Sequence, residues 1–147
     1  MKLNELNILL ADDDTDDCLF FKEAVTGFIP SGNFTAVHDG EQLMQLLGNE
    51  TNKLPDILFL DLNMPRKNGF ECLTEIKQNN KLKNLPVVIF STSNSHDSMS
   101  KLFKTGADVY IRKPSSFEQL VQVIRHALPM ACENIVANAR LKYILNA

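Results

Sequence analysis

No uninterrupted apolar run in this 147-residue chain exceeds four residues, far short of the roughly 20 that a membrane-spanning helix needs, so no membrane association is expected. The opening residues Met1-Lys2-Leu3-Asn4-Glu5 lack a hydrophobic stretch closed by a small-residue cleavage site, which sets the expectation of a cytoplasmic protein. Cysteine is scarce. Cys18, Cys72 and Cys132 are odd in number and far apart, a pattern that suits neither a disulfide framework nor a clustered zinc site, and they are read as reduced and structural. His38, His96 and His126 show no metal-ligand spacing, so each is read as solvent-facing or locally satisfied. A basic excess is missing too: 15 Lys and Arg stand against 18 Asp and Glu, and a net charge of −3 gives no broad reason to bind nucleic acid. Internal repeats, low-complexity tracts and linkers are also lacking.

What is present is one compact domain's worth of chain. At 44% hydrophobic composition and this length, a fold hides roughly 70% of the surface that its unfolded form exposes, so no staple is required. Near-continuous apolar runs at Asn7 to Ala11, Asp56 to Leu60 and Pro86 to Phe90 read as central strands buried on both faces, the mark of a parallel sheet covered by helices. Phe34 to His38 and Val109 to Arg112 mix polar with apolar positions, as strands nearer an edge do.

Helical patterns alternate with these runs. Thr15 to Gly27 places Cys18, Phe21, Val25 and Phe28 on one face behind Asp14 as N-cap, with Asp16 and Asp17 as first-turn acids. Glu41 to Leu47 offers Leu43 and Leu47; Phe70 to Gln78 offers Phe70, Leu73 and Ile76. Met99, Leu102 and Phe103 recur at helical spacing before Gly106, which suits a C-cap. Ser115 with Glu118 reads as a capping box for a fifth helix carrying Phe117, Leu120, Val121, Ile124 and Leu128, and Pro129 is expected to stop it. Strict alternation over residues 6 to 128 predicts an α/β fold, a doubly wound five-stranded parallel sheet. Residues 1–128 form the expected domain and 129–147 an extension. In the extension Cys132, Ile135, Val136, Ala139 and Tyr143 fall on one stripe of an amphipathic helix, which would pack on the domain's outside, meet a partner, most simply a second copy in a homodimer, or remain frayed.

In an open α/β sheet, ligands bind beyond the carboxyl ends of the strands. The residues there are Asp12 and Asp13, Asp61, Ser91 and Lys113, separated along the chain by 49, 30 and 22 positions from Asp12 onward. Five of the ten aspartates crowd into Asp12 to Asp17, which is costly unless a cation or a helix end compensates. Three carboxylates would make an oxygen-rich site for a hard divalent cation such as Mg²⁺, and a hydroxyl with an ammonium would complete a cradle for phosphoryl oxygens.

The set Ile8-Leu9-Leu10-Ala11-Asp12-Asp13, Asp61-Leu62-Asn63-Met64-Pro65 with Gly69, Ser91, and Lys113-Pro114 strongly resembles the response-regulator receiver family over about residues 6 to 128. The resemblance implies a flavodoxin-like (βα)₅ fold with strand order 2-1-3-4-5. It implies that Asp61 accepts a phosphoryl group from a histidine kinase or histidine phosphotransfer protein, that Asp12, Asp13 and Asp61 hold Mg²⁺ with the Asn63 backbone carbonyl, and that Ser91 and Lys113 contact the phosphoryl group. Ser91 and Tyr110 would then form the switch read by a downstream protein, side chains at Asn63 and Ser93 would govern water access, and the Lys113–Pro114 peptide would be cis. Thr92 departs from the family, which usually has a small, alanine-like residue there, and this implies narrower access. Such a protein is a switch, not a turnover enzyme.

Rival readings are weaker. Asp12-Asp13-Asp14 contains the D-x-D of haloacid-dehalogenase-type phosphatases, yet Asp16 stands where that family has Thr or Val, and Asp61 would have no role. A flavodoxin-like FMN binder needs a hydroxyl- and glycine-rich loop after the first strand, where acids here repel phosphate. The alternative is a phosphorylation-independent pseudo-receiver, against which the intact Asp12, Asp13, Asp61, Ser91 and Lys113 argue. The short extension leads to the expectation that output passes through a partner.

Overall fold

Four apolar residues in a row, buried on both sides, recur as β1 (Ile8–Ala11), β3 (Ile57–Leu60) and the first four residues of β4 (Val87–Ser91). They form the middle of a parallel sheet whose order is β2 (Phe34–Val37), β1, β3, β4, β5 (Val109–Arg112) and β6 (Tyr143–Leu145). The structure, a computed structural model, describes residues 3–92, 96–132 and 143–145. The helices are α1 (Thr15–Thr26), α2 (Gly40–Gly48), α3 (Gly69–Gln78), α4 (His96–Thr105) and α5 (Phe117–Cys132).

Side chains alternate across the strands, and each parity builds one core. Ile8, Leu10, Ile57, Phe59, Val88 and Phe90 face α1 and α5, where the Phe21 ring meets Phe59 and Phe90 edge-on at centroid distances of 4.9 and 5.4 Å. Leu9, Ala11, Leu58, Leu60, Val87, Ile89 and Tyr110 face α2, α3 and α4. Strand β1 lies between β2 and β3, so the chain leaves it in opposite directions along the sheet, and a crevice opens at the carboxyl ends of β1 and β3.

The expected five-strand core and its 2-1-3-4-5 order are present, and four details differ from expectation. A sixth strand joins the β5 edge, with Tyr110 in register with Ile144. The helical stripe expected for residues 129–147 therefore does not reach Tyr143; Ile135, Val136 and Ala139 lie outside the described residues. Helix α5 does not stop at Pro129 but runs through it, because Ala127, Leu128 and Ala131 continue its buried face and this burial offsets the missing backbone donor. Its cap is Ser116, whose Oγ accepts from the Gln119 backbone N–H at 3.2 Å, one residue later than the Ser115–Glu118 spacing suggested, and Phe117 is exposed rather than buried.

Candidate functional site

Register places the acids. Ala11 pairs with Leu60, so the next residues on the two strands, Asp12 and Asp61, emerge side by side, tied by the Asp61 N–H to the Ala11 carbonyl at 2.9 Å. Asp12 is fully buried and Asp61 nearly so, while Asp13 is exposed. Ser91 ends β4 fully buried, and its carbonyl accepts from the backbone N–H of Lys113 at 2.9 Å, which brings the lysine beside the acids. Lys113 Nζ lies 2.9 Å from Asp12 Oδ2, 2.8 Å from Asp17 Oδ2 and 3.4 Å from Asp61 Oδ2, above the Phe90 ring.

The sequence pattern makes Asp17 a first-turn acid, and the structure makes it a lysine partner as well. Asp14 caps α1 by accepting from the Asp16 and Asp17 N–H groups, and the resulting turn swings the Asp17 carboxylate over the crevice. The one sequence signal for this is its spacing of three residues from the cap, which keeps it on the same side of α1 as the strand end.

Burial raises the Asp12 carboxyl from 3.8 to about 6, aided by the charge of Asp61 and opposed by Lys113 and the Asp14 N–H. Burial opposes the charge on Lys113, but hydrogen bonds to Asp17 and Asp12 and the fields of Asp12 and Asp61 outweigh it and hold the ammonium above the usual lysine range. The Asp12 Oδ1 accepts from the Asp14 N–H at 3.0 Å; among the described residues Oδ2 has no donor besides the Lys113 ion pair. One carboxylate oxygen each from Asp12, Asp13 and Asp61 fall within 4.8 Å of one another. A buried, under-satisfied oxygen in a cluster of acids with a single lysine fits a hard divalent cation, which prefers oxygen ligands.

The loop after β3 is braced. The Asn63 N–H donates to Asp61 Oδ1 at 3.3 Å, and Gly69 lies so close beneath Asp61 that a Cβ there would sit 2.1 Å from the Asp61 carbonyl oxygen. Gly40 at the start of α2 makes a similar approach to the Lys67 carbonyl. Arg66 adopts φ 69°, and its guanidinium lies 3.7 Å from Asp39 and 3.5 Å from Glu41 at the same helix start. Thr92 is exposed beyond buried Ser91; Ser93 lies outside the described residues. Tyr110 is fully buried among the residues facing α4, so its ring is already inward. The Lys113–Pro114 peptide is trans, not cis, the form that X–Pro bonds favour by about 0.5–1 kcal/mol.

A doubly wound parallel sheet with acids, a hydroxyl and a lysine at its carboxyl edge defines a receiver-type domain. The chain belongs to the response regulator receiver domain family, whose sequence model matches residues 8–125. It is 30% identical over 122 residues to the response regulator Rcp1 of Synechocystis sp., covering 80% of this chain and 83% of that protein. It is 31% identical over 125 residues to the two-component response regulator ORR11 of Oryza sativa, covering 84% and 81%. Among solved structures it is similar to the phosphorylated cyanobacterial phytochrome response regulator RcpA, with TM-score 0.75, 30% identity and coverage of 88% and 95%. The Mn²⁺-bound form of Rcp1 gives TM-score 0.74 at 28% identity, covering 86% and 94%. Among the described residues no helix is long and apolar enough to cross a membrane.

Proposed function

We propose that the protein is a cytoplasmic phosphorylation switch, not a turnover enzyme. In this reading Asp61 takes a phosphoryl group from the phosphohistidine of a histidine kinase or histidine phosphotransfer protein. The observation that carries it is the juxtaposition at Asp61: a lysine ammonium 3.4 Å from one carboxylate oxygen and two further carboxylates within metal-sharing distance. The relatives known as a phosphorylated RcpA and a Mn²⁺-bound Rcp1 support the same assignment.

Asp61 attacks phosphorus in line, the donor's P–N bond breaks, and its imidazole leaves with a proton; water later cleaves the acyl phosphate to restore the carboxylate and release inorganic phosphate. Asp12, Asp13, Asp61 and the Asn63 carbonyl would hold Mg²⁺, which neutralises charge on the equatorial oxygens when bound. Lys113 supplies the second positive group and leaves Asp17 for the phosphoryl oxygens as transfer proceeds. The Ser91 hydroxyl donates to a phosphoryl oxygen, and its movement is transmitted through Tyr110 to the α4–β5–α5 face, where a downstream protein binds. The donor protein covers a patch beside Lys113: Phe20 and Phe117 are 55% and 44% exposed, and a cavity of about 240 Å³ opens between them and Lys113.

Incubation with Mg²⁺ and a small phosphodonor, followed by intact mass, should show one acid-labile phosphoryl group on the wild type and none on Asp61→Asn. Undiminished, acid-stable labelling of the variant would overturn the assignment. A Tyr110 ring that keeps one rotamer with and without a phosphoryl mimic would reject Tyr110 as the readout.

A further inference from the structure

The backbone carbonyl oxygen of Asp12 is gripped by two side chains that the phosphorylation reading does not use. Cys18 Sγ, on α1, donates to it at 3.4 Å, and His38 Nδ1, at the end of β2, lies 3.2 Å away. The two side chains are themselves 3.8 Å apart. A carbonyl only accepts, so the ring contact is a hydrogen bond only when Nδ1 carries the proton. The histidine is presented by its own local structure. Gln42 Oε1 accepts from the His38 N–H at 2.8 Å while Asp39 Oδ1 accepts from the Gln42 N–H at 2.8 Å, a reciprocal cap that fixes the turn into α2.

Cys18 is not a reactive centre here, since burial first, and the surrounding aspartates second, push its thiol up to about 12. Two side chains and one carbonyl also make a poor metal site. What the cluster does is orient a peptide. With the carbonyl fixed on one side and the Asp12 N–H donating to the Val37 carbonyl at 3.0 Å on the other, the backbone that carries both Asp12 and Asp13 has little freedom to rotate.

We infer that His38 is a positioning residue for the acidic pair, acting through its Nδ1–H bond to the Asp12 carbonyl, with Cys18 as the second donor. The inference rests on the proposed divalent-cation site. An orienting donor of this kind influences affinity for the ion without touching it. His38 is exposed, so its replacement leaves the core intact, and the consequence is local.

Mg²⁺ titration by calorimetry on the full chain separates donor from bulk. His38→Leu keeps volume and loses the donor, and should bind Mg²⁺ about three- to tenfold more weakly, the loss that one hydrogen bond carries. His38→Asn places an amide N–H near the position of Nδ1 and should retain binding within about twofold of wild type. Equal affinities in all three proteins, or equal weakening in both variants, would overturn the inference; failure of the wild type to bind Mg²⁺ would instead sink the cation site. Nitrogen NMR of the wild type, without metal, gives an independent answer: the neutral ring should be the Nδ1–H tautomer, and the Nε2–H tautomer would reject the bond.

Discussion

Asp12 carries a direct acid–base consequence. Its carboxyl, raised by burial to about 6 from 3.8, holds its proton more tightly in the folded protein than in the unfolded chain. Its contribution to stability is therefore complete below about pH 4 and is lost as pH climbs from there through about 6, on the order of 3 kcal/mol. Urea unfolding in chelator should show a loss of stability between pH 4 and pH 6 that is larger in wild type than in Asp12→Asn; parallel curves would reject the raised value. Among the strand-end residues, Asp12, Asp61 and Ser91 were legible in the sequence because each follows an apolar run directly, and Asp13 and Lys113 because each stands one residue further on. Asp17 was not, because first-turn acids are common at helix starts and only the rotation of α1 about its axis decides that this one reaches Lys113. Nor was His38, whose partner is a backbone oxygen that no residue spacing reports.

The loop joining β3 to α3 is held between α2 and its own strand by two glycines. Gly69→Ala would drive a methyl into the Asp61 carbonyl, and Gly40→Ala one into the Lys67 carbonyl. Each should cost about 1–3 kcal/mol in thermal or urea unfolding, the usual penalty of overpacking, and Gly69→Ala should also slow phosphorylation, because the displaced atoms belong to the proposed acceptor, Asp61. In α5 the expected effect has the opposite sign. Pro129→Ala restores a backbone donor inside a helix whose buried face already continues to Ala131, and should raise stability by about 1–3 kcal/mol; an unchanged melting temperature would contradict that. Propensity placed the helix end at the proline because local cost is all a sequence displays, whereas the burial of Leu128 and Ala131 depends on strands far away in the chain. The β1, β3 and β4 runs were easier to place, since burial on both faces leaves an unbroken apolar string.

At the level of the fold, β6 closes one side of the sheet. Truncation after Cys132 should leave Asp61 phosphorylation intact, because the described site residues all precede it, while baring the β5 edge and promoting self-association by strand pairing. Sedimentation showing the same mass for truncated and full-length protein across a concentration series would count against this role. The sixth strand was illegible as a strand: three residues at the end of a helical-looking stripe carry no period of their own, and pairing with Val109–Ile111 defines them. The aspartate–lysine cluster has an electrical consequence for the molecule. Asp12, Asp13, Asp17 and Asp61 with Lys113 sum to −3, which is the net charge of the chain; setting them aside leaves 14 acidic and 14 basic side chains in balance. The crevice thus carries a formal charge equal to that of the whole chain, so electrophoretic mobility responds directly to its occupancy. One bound divalent cation would cut the mobility by roughly two-thirds, which makes a native gel a direct gauge of how the crevice is filled.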